Sequence, residues 1–392
     1  MSYRKLKADY LFDGYKILPG HAVLVCGQDG TIEAITDESE AGGDLEKFSG
    51  LLSPGFINCH CHLELSHLRS RVPEKLGLVN FLLSVINLRN QSYQQKQEAI
   101  QNAENEMVRA GIVAVGDICN TDDSLIVKSA KRMAYYNFIE LLGWAPEQAL
   151  ARFESGEKLG ALFNESLHDE RHLSLSPHAP YSVSDELWNL MAPHFRNRTI
   201  TIHNQESAAE NEFFKSGNGD LTRLYSNLKM NTSHFKTPGI VSTTYFLPKS
   251  DAASSILLVH NTYLEEADLK EALSFGKNLF FCLCPNANLY IEDRLPDIPM
   301  FLKNNGRMVL GTDSLASNHQ LSILEEMKTI KKYFPMTTTA QLLLWATSNG
   351  AATLSFDNSL GDFRKGKKPG IVLTDRLRDG EITDLSTSRR IL

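Results

Sequence analysis

Eight short apolar runs, separated by longer segments of helical pattern, constrain the fold of this chain more than any other feature. A strand of a parallel sheet is covered on both faces, so it reads as a continuous apolar run, and its neighbour follows after a helical crossover. Eight such repeats close a (β/α)8 barrel, and 392 residues suffice for one α/β barrel with a small additional domain. The runs comprise residues 51–57, 112–117, 137–141, 173–176, 199–202, 256–259, 279–282 and 308–311.

The two ends of the chain predict a second, smaller domain. Short strand patterns with turn residues begin at Tyr10, and a further one follows Pro369-Gly370. We therefore expect residues 1–53 and 357–392 to form a small β-sandwich domain beside a barrel domain of residues 54–356. Residues 213–248 interrupt the repeat with a long segment, which we expect to form a helical lid over the strand ends.

Composition and charge exclude several classes of protein. Hydrophobic residues make up 42% of the chain and charged residues 22%, which predicts a folded core rather than disorder. The net charge of -7, with no basic stripe, argues against a nucleic-acid partner. No apolar run approaches the ~20 residues that span a membrane, and no secretory signal is evident. The cysteines in strand-like pairs are poorly placed for disulfides, so we expect a reduced, cytoplasmic protein.

Metal-binding and proton-carrying side chains follow the apolar runs. Active sites of (β/α)8 barrels lie at the C-terminal ends of the strands. Because side chains alternate along an extended chain, His60 and His62 after the first run face the same way, as two ligands of one divalent ion. Further candidates follow later runs: His178 after the fourth, His203 and Glu206 after the fifth, His260 after the sixth and Asp313 after the eighth. The set predicts one metal bound by His60, His62, His203 and Asp313, with Glu206 and His260 beside it.

The same residues fall in motifs that together resemble a known family. The motifs are Pro54-Gly55-Phe56-Ile57-Asn58-x-His60-x-His62, Pro177-His178-Ala179-Pro180-Tyr181, His203-x-x-Glu206, His260 and Gly311-Thr312-Asp313-Ser314. In this order they resemble the amidohydrolase superfamily, in particular its mononuclear aminohydrolases, over nearly the whole chain. The resemblance implies the four metal ligands named above, catalytic proton transfer by Glu206 and His260, and a place in the pocket for His178. The fourth run lacks the lysine that bridges two metals in other branches, which favours one ion.

The chemistry of these side chains agrees with the resemblance. A divalent ion held by three imidazoles and a carboxylate lowers the pKa of water towards neutrality. We expect Asp313 to accept the proton of that water and Glu206 to donate one to a ring nitrogen of the substrate. We expect His260 to stabilise the attacking oxygen. Zinc is the expected ion, with iron as the alternative, because geometry decides between them more than affinity.

The predicted reaction is hydrolytic deamination of an amino-substituted heterocycle, a purine or purine nucleoside-like small molecule. Residues 63–66, Leu-Glu-Leu-Ser, look similar to aminofutalosine deaminases, which makes aminofutalosine the specific candidate. Glu64 and Arg69 in the first loop are candidate substrate contacts together with His178. Two alternatives stay open: a hydrolytic dehalogenase or amide hydrolase that uses the same site, and a scaffold that kept the fold and lost catalysis. The family resemblance also suggests a homodimer.

Overall fold

The computed structural model describes residues 3–392, so the first two residues of the predicted terminal domain lie outside the described part. Within it the strands are β1 (Tyr3–Phe12), β2 (Ile17–Leu18), β3 (Ala22–Gly27), β4 (Ile32–Asp37), β5 (Leu45–Pro54), β6 (Phe56–Cys61), β7 (Ile112–Cys119), β8 (Ala134–Leu141), β9 (Leu173–Pro177), β10 (Thr199–Asn204), β11 (Ser255–His260), β12 (Leu279–Leu283), β13 (Met308–Leu310), β14 (Ile371–Asp375) and β15 (Thr387–Arg390). Strands β7 to β13 contain seven of the eight predicted apolar runs, and the first run is divided between β5 and β6.

The central strands form two parallel four-stranded sheets, β6-β7-β8-β9 and β10-β11-β12-β13. The two sheets meet at both edges. The amides of Thr312 and Asp313 each donate to the His60 carbonyl oxygen at 3.0 Å, and the His203 amide donates to the His178 carbonyl oxygen at 3.0 Å. The eight strands therefore follow one another in a ring, and all their C-terminal ends lie on one side. The prediction of an α/β fold with parallel strands is confirmed.

The helices that cover the strands are α1 (Glu38–Ala41), α2 (Leu78–Leu88), α3 (Tyr93–Arg109), α4 (Leu125–Ser129), α5 (Ala149–Leu167), α6 (Asp185–Met191), α7 (Ala208–Ser216), α8 (Leu221–Asn227), α9 (Ser242–Phe246), α10 (Glu266–Ser274), α11 (Pro285–Glu292), α12 (Ile298–Lys303), α13 (Ile323–Tyr333), α14 (Thr339–Ala346) and α15 (Ser348–Thr353). Helix α3 shows how the sequence sets their bounds. Ser92 and Gln95 cap its first turn reciprocally, and Gly111 follows its last turn with a φ of 96°. Among the described residues, no helix is both long and apolar enough to cross a membrane.

The chain termini pair with each other in one seven-stranded sheet of order β15-β14-β5-β1-β3-β4, with β2 on β1. Strand β14 runs antiparallel to β5, with Ile371 opposite Pro54. The predicted strand over residues 51–57 is therefore divided between two sheets. The division falls at Gly55, where a Cβ atom would lie 2.2 Å from Cγ1 of Val113. The described strands are hydrogen-bonded as a single sheet, so the two-layered sandwich stays a prediction.

The segment of residues 213–248 packs against the C-terminal ends of the central strands. It contains the end of α7, all of α8 and α9, and irregular backbone between them. The Tyr225 hydroxyl donates to the Tyr181 carbonyl oxygen after β9 at 2.6 Å, and the Tyr225 ring stacks on Trp144 after β8 with centroids 4.7 Å apart. The aromatic side chains of this segment thus pack on one another and on the neighbouring loops.

A buried ion pair holds the β7-α4-β8 unit together. Lys128 in α4 and Asp117 in β7 are both fully buried, with 2.6 Å between Nζ and Oδ2. Lys128 also donates to the Asn137 side-chain oxygen at 2.8 Å, and Asp117 accepts from the Leu63 amide at 2.9 Å. The pair therefore links α4 to the backbone immediately after His62.

Replacing Lys128 should destabilise the protein strongly, because Asp117 would remain as an uncompensated buried charge. We expect Lys128→Met to lower the free energy of unfolding by about 3–5 kcal/mol. The control is Lys96→Met, since the Lys96–Asp123 pair at 3.0 Å is partly exposed and should contribute about 1 kcal/mol or less. Urea unfolding of the three proteins measures both effects, and equal losses would contradict the proposed role of burial.

Candidate active site

Three imidazoles and one carboxylate converge at the C-terminal ends of β6, β10 and β13. Nε2 of His62 lies 3.2 Å from Nε2 of His60 and 3.3 Å from Nε2 of His203. Oδ1 of Asp313 lies 3.6 Å from Nε2 of His60 and 3.4 Å from Nε2 of His62. All four side chains are buried. The structure thus brings together residues that are far apart in the sequence, around one point.

This donor set fits a divalent cation better than a hydrogen-bond network. A ring nitrogen carries at most one proton, so Nε2 of His62 cannot form hydrogen bonds with all three of its neighbours. Metal–ligand bonds of about 2.0–2.2 Å in a tetrahedral arrangement separate the ligands by about 3.3 to 3.6 Å, close to the four separations given above. In addition, Nδ1 of His203 lies 2.7 Å from the His178 carbonyl oxygen. That contact assigns the proton to Nδ1 and leaves the Nε2 lone pair directed at the cluster.

Burial keeps the imidazoles in the neutral form that binds metals. It lowers the pKa of His62 to about 4 and that of His203 to about 4. Burial has the opposite effect on Asp313, but the neighbouring imidazoles of His60, His62 and His260 outweigh it and hold the pKa of Asp313 well below its usual range. At neutral pH the cluster therefore contains lone pairs and a negative charge.

Local contacts fix the orientation of Asp313. The hydroxyl of Ser317 donates to Oδ2 of Asp313 at 2.6 Å, which leaves Oδ1 facing His60 and His62. The Asn58 side-chain oxygen accepts from the Thr312 amide at 3.1 Å. Asp313 itself has a φ of 57°, a strained conformation for a residue with a side chain. Ser317 was not predicted, because a serine four residues after Asp313 carries no distinctive signal in the sequence.

Glu206 and His260 form a second pair beside the cluster. Nε2 of His260 lies 3.5 Å from Oε1 of Glu206, and both side chains are buried. Burial raises the pKa of Glu206 well above its usual value and lowers the pKa of His260 well below its own. The Asn288 amide nitrogen lies 3.2 Å from Nδ1 of His260 and, as the donor, leaves the proton on Nε2. A protonated carboxyl and a neutral imidazole N–H are therefore available together.

Of the predicted pocket residues, His178 lies beside the cluster and Glu64 is buried in the loop after β6. The ring centroid of His178 is 4.8 Å from that of His203, and its Nδ1 lies 2.8 Å from the Ser182 hydroxyl. Glu64 is buried, and its Oε2 accepts three hydrogen bonds of 3.0 Å from the amides of Asn120 and Thr121 and from the Thr121 hydroxyl. Burial raises the pKa of Glu64 to about 7. Its other oxygen has no hydrogen bond within the described residues.

Arg69, the third predicted substrate contact, is placed elsewhere. Its guanidinium donates two hydrogen bonds to the Glu106 carboxylate on α3, at 2.9 and 2.5 Å, and the side chain is 38% exposed. A planar guanidinium that binds a carboxylate in this bidentate way is held by it. This correction follows from the turn after β6, which directs Arg69 towards the outer helix.

Glu140 lies close to the cluster and was missed in the sequence. It occupies the penultimate position of β8, with Oε1 3.8 Å from Nδ1 of His203 and Oε2 3.0 Å from the Asn120 side-chain nitrogen. Burial raises its pKa to about 8. The signal was available, because a carboxylate at the end of a predicted apolar run is the pattern that identified the other candidates.

Comparisons with known proteins agree with this geometry. The Amidohydrolase family is matched by residues 51–391. An adenosine deaminase of Helicobacter pylori is 28% identical over 328 residues, 82% of this chain and 78% of that protein. The structure of Helicobacter pylori aminofutalosine deaminase with methylthio-coformycin has a TM-score of 0.81 at 24% identity, covering 96% of this chain and 93% of that one. An adenosine deaminase from Xanthomonas campestris with bound zinc has a TM-score of 0.70 at 20% identity, covering 95% and 84%. The two structures show that the fold is shared.

Stability of the metal-free protein should depend on pH through His62. Its pKa is about 4 in the folded protein and about 6.5 when unfolded. The unfolded state therefore binds the proton first, and the stabilisation from neutral His62 is complete above pH ~6.5 and is lost as pH falls towards ~4.

The difference between the two pKa values of His62 changes the free energy of unfolding by about 3 kcal/mol at most. We expect His62→Asn to have a shallower fall in the free energy of unfolding over this pH range than the unsubstituted chain, with chelator present in both samples. Urea unfolding at several pH values measures the two slopes, and parallel slopes would show that His62 is not buried in the neutral form.

Proposed function

This chain belongs to the amidohydrolase family, and from that premise we propose that it hydrolytically deaminates a purine nucleoside-like substrate. The observation that carries the proposal is the position of the Glu206–His260 pair beside the cluster of His60, His62, His203 and Asp313. One group of side chains suits a cation that activates water, and the other holds a proton for the substrate. The similarity to an adenosine deaminase supports the reaction class.

We propose that His60, His62, His203 and Asp313 hold one divalent ion, with zinc as the first candidate and iron as the second. Imidazole nitrogen and carboxylate oxygen suit both ions. When bound, the ion supplies the Lewis acidity that makes water nucleophilic near neutral pH. Zinc in an adenosine deaminase of similar fold supports the first choice.

Asp313 is suited to move one proton. Its Oδ2 is held by Ser317 at 2.6 Å while Oδ1 faces the imidazoles, so the carboxylate is fixed beside the residues that would hold the ion. In the proposed mechanism Asp313 accepts a proton from the attacking water and later passes it to the departing ammonia. Its low pKa ensures that the carboxylate is ionised when the water arrives.

Glu206 and His260 are suited to the substrate side of the reaction. The buried, protonated Glu206 carboxyl donates its proton to the ring nitrogen next to the carbon under attack, which neutralises the charge that develops there, and it regains a proton from the attacking oxygen as ammonia leaves. His260 donates a hydrogen bond from Nε2 to the attacking oxygen and so stabilises it. The Asn288 contact at 3.2 Å keeps His260 in the tautomer that this role requires.

Glu64 and His178 are the proposed substrate contacts. Glu64 is anchored through one oxygen and leaves the other for a hydroxyl or amino group, and His178 lies against His203. Aminofutalosine is the specific candidate, on the Leu-Glu-Leu-Ser sequence of residues 63–66 and the similarity to an aminofutalosine deaminase. A dehalogenase or amide hydrolase would use the same cluster with another leaving group. A non-catalytic scaffold is disfavoured because both groups of side chains are complete.

The remaining proposals concern organisation and location. We propose a closed (β/α)8 barrel of residues 54–356 with a lid at 213–248, and a small β domain from residues 1–53 and 357–392. The predicted sandwich remains part of that proposal. We further propose a cytoplasmic protein that acts on a small molecule, binds neither nucleic acid nor membrane, and forms a homodimer.

Purified protein should contain about one divalent ion per chain. We expect a chelator to abolish ammonia release from adenosine, 5'-deoxyadenosine or aminofutalosine, and zinc or ferrous iron to restore it. His203→Ala should lose both the ion and the activity. Elemental analysis and an ammonia assay measure the two quantities. Protein that contains no ion and remains inactive when loaded would favour the scaffold alternative.

Glu206→Gln should lower kcat by about 10²–10⁴-fold, because glutamine keeps the shape of the side chain but cannot donate the proton. The metal content should stay unchanged. The matched control is Glu212→Gln on the exposed face of α7, which should retain the activity of the unsubstituted chain. Steady-state ammonia release measures kcat, and a Glu206→Gln protein of near-normal kcat would assign the proton donor elsewhere.

A further inference from the structure

A cavity of about 460 Å³ lies at the opposite end of the central strands from the candidate active site. It is lined by residues at the start of β7 and β8, the end of α5, the segment before β14 and the last residue of β15. The active-site side chains follow the C-terminal ends of these strands. The cavity reaches Asn137 in β8, three residues before Glu140, so its nearest wall lies about 10 Å along the strand from the active-site end.

Positive charge dominates the walls of this cavity. Five cationic side chains line it, namely those of Lys128, Lys131, Arg132, Lys368 and Arg390, against the single carboxylate of Asp169. Asp169 is itself engaged, since its Oδ2 lies 2.8 Å from Nδ1 of His172. In a chain whose net charge is -7, this local excess is unusual. A concave surface of one sign concentrates its electrostatic field within the cavity.

Three of the cations pair with side-chain carboxylates of the protein, and two do not. Lys128 pairs with Asp117, Arg132 with Glu104 and Lys368 with Asp29. By contrast, no aspartate or glutamate side chain of residues 3–392 forms an ion pair with Lys131 or Arg390. The Arg390 guanidinium donates to the main-chain oxygens of Leu392, the last residue given, at 2.9 Å and of Arg132 at 3.5 Å.

The surroundings of Arg390 disfavour the positive charge of its side chain. Burial and the nearby charge of Arg132 lower the pKa of its guanidinium. Lys131 has a φ of 52°, and His168 in the same wall has a φ of 53°, so two residues with side chains adopt the left-handed conformation at the rim. An anion bound in the cavity would offset the repulsion between Arg132 and Arg390.

We propose that this cavity binds a small phosphate-bearing anion. Guanidinium groups match two phosphate oxygens at once, and ammonium groups add charge without fixed geometry, so Arg132 and Arg390 with Lys131 and Lys368 suit a diphosphate. The volume lies within the range of small-ligand sites, about 300–1,000 Å³. The proposal is independent of the deamination reaction, since none of these side chains belongs to the candidate active site.

The proposal is tested by isothermal titration of the full chain with inorganic pyrophosphate and, separately, with ADP, at constant ionic strength. We expect saturable binding of one ligand per chain. Arg390→Met and Lys131→Asn should each weaken it at least about tenfold, because each removes one charge-assisted contact. Asparagine is chosen at residue 131 because it tolerates a positive φ. The matched control, Lys158→Met on exposed α5, removes one charge away from the cavity and should leave affinity unchanged.

Equal affinity for pyrophosphate and ADP would assign the site to the phosphate group alone, and tighter binding of ADP would assign it to a nucleotide; both support the proposal. Absence of saturable binding would overturn it. Equal weakening in Lys158→Met would do so too, as would affinity unchanged by Arg390→Met and Lys131→Asn, which would place the anion elsewhere. Urea unfolding of each variant verifies that the fold is retained.

Discussion

The hydrogen bonds from the amides of Thr312 and Asp313 to the His60 carbonyl oxygen are the contacts on which the rest of the site depends. They join the first and last strands of the ring, and they do so at the residues that carry candidate ligands. The Asn58 side chain adds a second connection at the same place, since it bonds both the amide and the hydroxyl of Thr312 across 254 positions of sequence. Without this junction His60 and Asp313 would have no defined separation.

Much of the fold could be predicted because buried strands appear in the sequence as runs of apolar residues. Parallel strands must be apolar on both faces, so the eight runs stand out, and side chains with ligand chemistry stand out where the runs end. The sequence does not show in which direction a side chain in a loop points. Arg69 follows the histidine pair closely, yet the turn after β6 sends it to Glu106. Helices α14 and α15 are separated only by Thr347, which has a φ of -129° and a ψ of -89°.

Side-chain hydrogen bonds accompany the break between α14 and α15, and the spacing of apolar residues does not reveal them. The Thr347 hydroxyl donates to the Leu343 carbonyl oxygen, and the Ser348 hydroxyl donates to the carbonyl oxygens of Gly14 and Gly361. Support residues such as Ser317 and Asn288 escaped prediction for a similar reason. Their side chains matter only through a partner that folding brings close, and serine and asparagine are common at positions without any role.

The junction of β6 and β13 also bears on the order in which the molecule matures. A nascent chain offers His60 and His62 early in translation and His203 much later, but the carboxylate arrives only when synthesis has passed Asp313. The full set of candidate ligands therefore exists only after the eighth central strand has been synthesised and has paired with the first.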